Sequence, residues 1–129
     1  MKYLWLLIFF FSFSLQAADS IIDAKHHLEW QDDREHEENI WKMAVGYCKQ
    51  LHIKNSSEWR LPTKEELVEL SKSKILKNKF NFLQEGIYWS GEIDKNENLN
   101  AITVFIGNGF ISSSDKCDKN FVMCVREIK

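Results

Sequence analysis

The sequence predicts an α+β domain, and three observations carry that reading. Apolar residues recur at helical spacing through Ile40, Ala44, Tyr47, Cys48 and Leu51. A loop feeds straight into a second helix at Trp59-Arg60-Leu61-Pro62-Thr63, where Thr63 and Glu66 have the spacing of a capping box. From Tyr88 onward the pattern changes to short β-type runs separated by turn formers, with Gly107-Asn108-Gly109 as a hairpin signal. Strands first, then two helices, then an antiparallel sheet is an α+β order.

The chain opens on a secretory signal, expected over residues 1–18. Lys2 gives a short positive region, Tyr3 to Leu15 is apolar apart from Ser12 and Ser14, and Gln16-Ala17-Ala18 offers small residues for cleavage after Ala17 or Ala18. The run is shorter than the ~20 residues of a spanning helix. An anchor kept uncleaved is the rival reading. No cysteine stands at the cleavage point to carry a lipid, and no second apolar run comes later. The expected product is one domain over residues 19–129, periplasmic or secreted, with no stable membrane insertion once the signal is gone.

Ile21-Ile22 and Leu28-Glu29-Trp30 flank a polar stretch from Asp23 to His27, which predicts a short hairpin or two edge strands. The first helix is predicted from about Glu37 to Leu51. The acidic run Asp32 to Glu38 then falls before and within its first turn, where the helix dipole favours negative charge. Lys54-Asn55-Ser56-Ser57 ends that unit. Pro62 fixes its own φ and keeps Leu61 extended, so the second helix starts sharply after Thr63. It is predicted to run to about Ser73, with Leu67 and Leu70 inward and Val68 beside them. Lys72 and Lys74 then sit at its C-terminal end, which favours positive charge.

The β region begins with a short strand at Tyr88-Trp89-Ser90. Asp94 to Asn98 is a turn, Ala101 to Ile106 a β-branched strand, and Phe110 to Ser113 its return. Asp115 to Asn120 is a second polar turn, and Phe121 to Val125 the last strand.

The net charge of the chain is −2, and −3 without Lys2. That balance is too mild for a protein that tracks phosphates, so no nucleic-acid partner is expected. All three cysteines, Cys48, Cys117 and Cys124, lie beyond the signal, and an oxidising compartment favours a disulfide among them. Three pairings are possible, each leaving one thiol. Asp94, Asn96, Glu97, Asn98 and Asn100 are oxygen ligands of the kind calcium takes, but a solvated hairpin turn explains them. His26 and His27 are adjacent and would face opposite ways on a strand. His36 and His52 lie far from them, and no zinc-ligand spacing exists. No Ser/His/Asp order, phosphate loop or carboxylate pair stands out, so no catalytic residue, metal or cofactor is expected. Trp30, Trp41, Trp59 and Trp89 read as core side chains before they read as sugar-stacking platforms.

Asp23 with Leu28-Glu29-Trp30-Gln31, Trp41, Tyr47-Cys48, Trp59 to Thr63, Tyr88-Trp89-Ser90, Phe105 to Gly109 and Cys124-Val125-Arg126 form one ordered set. The set resembles the Lcl C-terminal domain family, named for the Legionella collagen-like adhesin, over nearly the whole chain after the signal. Each piece alone is weak. The resemblance implies a C-type-lectin-like fold, with two helices packed on a small twisted antiparallel sheet and termini close together. It implies an exported, non-enzymatic binding or adhesion module for a glycan, such as a glycosaminoglycan, or for a protein. It also implies a Cys48–Cys124 bridge from the first helix to the last strand, closing a loop of about 75 residues worth roughly 4 kcal/mol. A Cys117–Cys124 staple and three free thiols remain the alternatives. With the long bridge formed, Cys117 is a spare thiol or an intermolecular partner. Arg60 and Arg126 are expected to tie the loop to the last strand.

The chain departs from the family pattern at Ser90-Gly91-Glu92, where Ser-Ser-Thr or Ser-Ser-Glu is commoner, and at Met123, where arginine is common. It carries no collagen-like stalk. Two other readings stay open. One is a degenerate relative of formylglycine-generating-enzyme-like domains, which share Trp-Arg-Leu-Pro-Thr but are about twice as long and need late reactive cysteines. The other is a structural assembly factor of the envelope.

Overall fold

A computed structural model describes residues 19–33 and 37–129. The expected signal over residues 1–18 lies outside the described residues, as do residues 34–36.

Strands β1 (Ser20–Asp23) and β2 (Leu28–Gln31) form the hairpin expected near the start. Its connection is a one-turn 3-10 helix, Ala24–His26, closed by the Asp23 side chain and by His27 at a φ of 57°. His26 and His27 therefore do not sit on a strand, because Asp23 captures the backbone N–H three residues on. Nor is β2 an edge. Strand β8 (Val125–Glu127) pairs with its other side, giving the antiparallel order β1-β2-β8.

The second sheet has five strands in the order β3-β7-β4-β5-β6. They are β3 (Glu38–Asn39), β4 (Ile87–Ile93), β5 (Asn100–Phe105), β6 (Phe110–Asp115) and β7 (Asn120–Phe121). All pairs are antiparallel except β4 with β7. The expected last strand is thus two strands in two sheets. Val122, Met123 and Cys124 carry the chain from one to the other, and Cys124 N–H donates to the buried Gln31 Oε1 at 2.9 Å.

Helix α1 (Trp41–Gln50) begins four residues later than the sequence suggested. Glu38 and Asn39 pair with β7 instead of joining the helix, and Trp41 N–H donates to Lys116 O at 3.0 Å. Among the described residues, none of the acidic run lies in the first turn of the helix. Asp32 is fully buried, and its carboxylate accepts from the backbone of Asn81 and Phe82 at 2.8–3.1 Å. Helix α2 (Lys64–Lys72) starts where Thr63 predicts, with both halves of the capping box made. A short α3 (Lys74–Lys79) comes next, capped by the Ser73 hydroxyl, which accepts from Leu76 N–H.

Strand β4 divides the core by its two-residue period. Tyr88 packs with Leu28, Trp30, Leu67, Leu70 and Met123 on the side of α2. Trp89 packs with Ala44, Cys48, Trp59, Leu61 and Cys124 on the side of α1. Within the second cluster Cys48 and Cys124 form a disulfide, Cα to Cα 5.6 Å, while Cys117 is free and exposed.

Candidate binding groove

The residues picked out by sequence hold the frame of the domain. Arg60 and Val125 exchange backbone hydrogen bonds at 2.9 and 2.8 Å, joining the loop to β8. The Arg60 guanidinium donates twice to Glu66 at 2.9 Å and once to Leu61 O, so the loop is tied to the first turn of α2. Burial pushes the Glu66 carboxyl upward, but the hydrogen bonds from Arg60 and Thr63 outweigh it and hold it below its ordinary value. The hydrogen bond to Glu66 raises Arg60 in turn, against the opposing effect of burial.

Pro62 O accepts from Gly91 N–H at 2.8 Å, and Lys64 N–H donates to Glu92 at 2.8 Å. Glu92, as in the Ser-Ser-Glu form of the motif, thus supplies a carboxylate to the N-terminus of α2, where partial positive charge favours it. Trp59, Leu61, Tyr88, Trp89 and Ser90 are all buried. Their polar atoms are spent internally: Trp59 Nε1 on Ser56 O, Trp89 Nε1 on Asn39 O, and Ser90 Oγ on Ile102 O. The Tyr88 hydroxyl both donates to Gln84 O and accepts from Gln84 N–H, and burial pushes its phenol above the ordinary value. Arg126 donates to Ser57 O and to Glu29. Each of these side chains thus has a hydrogen-bond partner within the domain or is buried in its core.

The oxygen-rich turn is also self-contained. Asp94 accepts from Ser113 Oγ at 2.7 Å and from Asn96 N–H, and these bonds lower its carboxyl. Among the described residues no group of three His, Cys, Asp or Glu side chains is placed to hold a metal.

A groove opens elsewhere, between the Ala24–His26 turn and helices α2 and α3. Its cavity is about 470 Å³, with Lys25 and His26 on one wall and Glu69, Lys72, Ile75 and Lys79 on the other. The turn is fixed to its own strand by Asp23, whose buried carboxylate accepts from His26 N–H, His26 Nδ1 and Trp30 Nε1. His26 Nε2 then reaches to 4.0 Å from Glu69 on α2, so one imidazole spans the floor of the groove. Ile75 is 78 % exposed on the rim. Of the groove lysines, the sequence placed Lys72, at the C-terminal end of the second helix. Asp23, His26 and Glu69 were not legible as a set, because His26 and Glu69 are joined only by the packing of α2 on the hairpin. The one local signal was the three-residue spacing of Asp23 and His26.

Residues 19–126 match the Lcl C-terminal domain family. The chain belongs to this family. Among solved structures, this Lcl C-terminal domain is similar to botrocetin, at 14 % identity and a TM-score of 0.54, covering 87 % of this chain and 98 % of that one. It is similar also to a chain of the rhodocetin complex with the integrin alpha2-A domain and strontium, at 14 % identity and a TM-score of 0.53, with the same coverage. At such identity the likeness speaks for the fold alone, and that fold is C-type-lectin-like. Among curated proteins none matches the chain. The motifs that mark the Lcl C-terminal domain here build the seat of α2, and one of their residues, Asp23, also lines the groove.

Proposed function

We propose that this Lcl C-terminal domain is an exported, non-enzymatic recognition module that holds a glycan or protein ligand in the groove between the Ala24–His26 turn and α2–α3. The observation that carries the reading is a set of side chains the fold does not use. Lys25, Lys72 and Lys79 meet no acidic partner among the described residues, and Ile75 lies open beside them. Side chains that cost desolvation elsewhere are here left free at the mouth of a cavity, as in ligand clefts. Asp23 and His26 form a carboxylate-oriented imidazole, but the hydroxyl on the cavity wall, Ser73, already caps α3. No nucleophile stands ready beside it, which favours recognition over catalysis.

Export is supported by the apolar run before Ala17 and by a bridge suited to an oxidising compartment. No helix among the described residues is long and apolar enough to cross a membrane. Intact-mass analysis of protein recovered from the envelope should show a start at Ala18 or Asp19, and full-length protein retained in the cytoplasm would overturn this part. For the groove, residues 19–129 are screened against a glycan array and a displayed peptide library, beside the Lys72→Glu, Lys79→Glu double variant. The reading expects ligands that the variant loses. Ligands bound equally by both proteins would place recognition elsewhere.

A further inference from the structure

The edges of a sheet carry unpaired backbone groups, and folds ordinarily blunt them with short strands, bulges, prolines or lysines. Strands β3, β8 and β1 are short edges of two, three and four residues. The outer side of β8 is also taken, because Val125 exchanges hydrogen bonds with Arg60. Strand β6 has none of these protections. It has six residues, pairs with β5 at every one of them without a bulge, and holds no proline, lysine or arginine. Phe110 and Ile111 are exposed on it. We propose that the open edge of β6 is an interface whose occupant is β6 of a second copy of this chain, paired antiparallel about a two-fold axis at Ser113. The proposal is independent of where the ligand groove lies.

The hydrogen-bond pattern selects a strand as the occupant. In an antiparallel ladder, alternate residues bond to the same neighbour. Lys116 N–H donates to Leu99 O at 2.9 Å, whereas Asn100 O accepts from Asp94 N–H on the β4 side. Phe110, Ser112 and Ser114 therefore bond to β5, and Ile111, Ser113 and Asp115 turn their N–H and C=O groups outward. Among the described residues, the one outward group of these with a partner is Asp115 O, which accepts from Asp118 N–H. Donors and acceptors repeating every two residues along an extended backbone are matched by another extended backbone.

The strand also complements itself. With the axis at Ser113, outward residues face outward residues. Ser113 exchanges two hydrogen bonds with its counterpart, and each Asp115 N–H meets Ile111 O of the other copy. An axis at Ser112 would instead set Asp115 against Gly109, whose φ of 80° takes it out of the strand. About Ser113 no like charges fall opposite each other: Asp115 faces Ile111, and Phe110 faces Lys116. The last pair gives the exposed phenyl ring a place. Lys116 Nζ lies 4.9 Å from the centroid of the Trp41 ring, so Phe110 of one copy is brought toward a cation and an indole of the other. Such an interface is isologous: the same patch serves both copies.

The test uses residues 19–129 carrying Cys117→Ser, with the Cys48–Cys124 bridge intact, so that no thiol can join two copies. Sedimentation equilibrium at low ionic strength compares this parent with its Ser113→Lys and Ser113→Glu variants. The parent should show a monomer–dimer equilibrium. Each variant sets like charges against each other on the axis and should weaken the dimer about 5-fold or more. An equimolar mixture of the two variants should dimerise more tightly than either alone, a rescue that a folding defect would not permit. Amide hydrogen exchange in the parent should slow at Ser113 and Asp115 as concentration rises. A parent monomeric at every concentration would overturn the inference. So would variants that dimerise as well as the parent, a mixture no tighter than either variant, or protection confined to other strands.

Discussion

Thr63 and Glu66 each satisfy a backbone donor that the other leaves open, at 2.9 and 3.1 Å. Thr63→Ala removes one acceptor and should cost ~1 kcal/mol in denaturant unfolding. Glu66 does a second thing, since its carboxylate also receives Arg60. Its folded carboxyl lies below the ordinary 4.5, so its contribution to stability is present above that pH and is lost as pH falls through the lowered folded value. Thermal unfolding of Glu66→Gln should therefore differ most from the parent near neutrality, and the two should converge in acid. These partners lie three and six residues apart, which is why the sequence displayed them. Asp32 shows the opposite case. It holds the backbone of Asn81 and Phe82, 49 and 50 residues away, and nothing local distinguishes it from its charged neighbours. Glu92, 28 residues from Lys64, was visible only as the last residue of a motif, with nothing to show what it holds.

The helix with a full capping box was placed well, and the element settled by distant pairing was not. Helix α2 carries its start signal within four residues. Helix α1 lost its first turn because Glu38 and Asn39 found β7, some eighty residues on. Helix α3 has six residues, three of them lysine, and one buried side chain, Leu76, so its periodicity is too slight to read. The β5–β6 hairpin was legible from Gly107-Asn108-Gly109, but not what it rests on. Gly109 has a φ of +80°, and a Cβ there would lie 2.6 Å from the Ser71 hydroxyl on α2. Gly109→Ala should destabilise by about 1–2 kcal/mol, through the left-handed backbone and the lost clearance together. Adding Ser71→Ala should restore part of the loss, seen as recovery of the urea midpoint. No recovery would mean that backbone strain alone is at work.

At the scale of the whole molecule, the alternation Tyr88, Trp89 assigns one core cluster to each face of β4, and the pair Cys48, Cys124 closes the second. The sequence announced a short strand at Tyr88-Trp89-Ser90, the centre of β4. The partner of Cys48, 76 residues distant, was announced by nothing but the resemblance to a family. Cys48→Ser should cost ~2–5 kcal/mol, whereas Cys117→Ser should stay within ~0.5 kcal/mol, and the exposed Cys117 thiol should be the one that labels in the native protein. The three-stranded sheet adds a mechanical consequence. Ser20 pairs with Gln31 at one end of β2, and Glu127 with Leu28 at the other, so the chain enters and leaves the sheet at opposite ends. Tension applied between the two ends loads β1, β2 and β8 along their length, and their hydrogen bonds must fail together. Cys124 lies immediately before β8, and the bridge there arrests further unravelling. Only residues 19–47 and 125–129 can be drawn out, about 120 Å of chain, against about 390 Å once the bridge is reduced. Single-molecule stretching with and without reductant would read those two lengths directly. The domain is built to yield a little at its edge under load while the folded body, with its groove, stays locked behind a covalent stop.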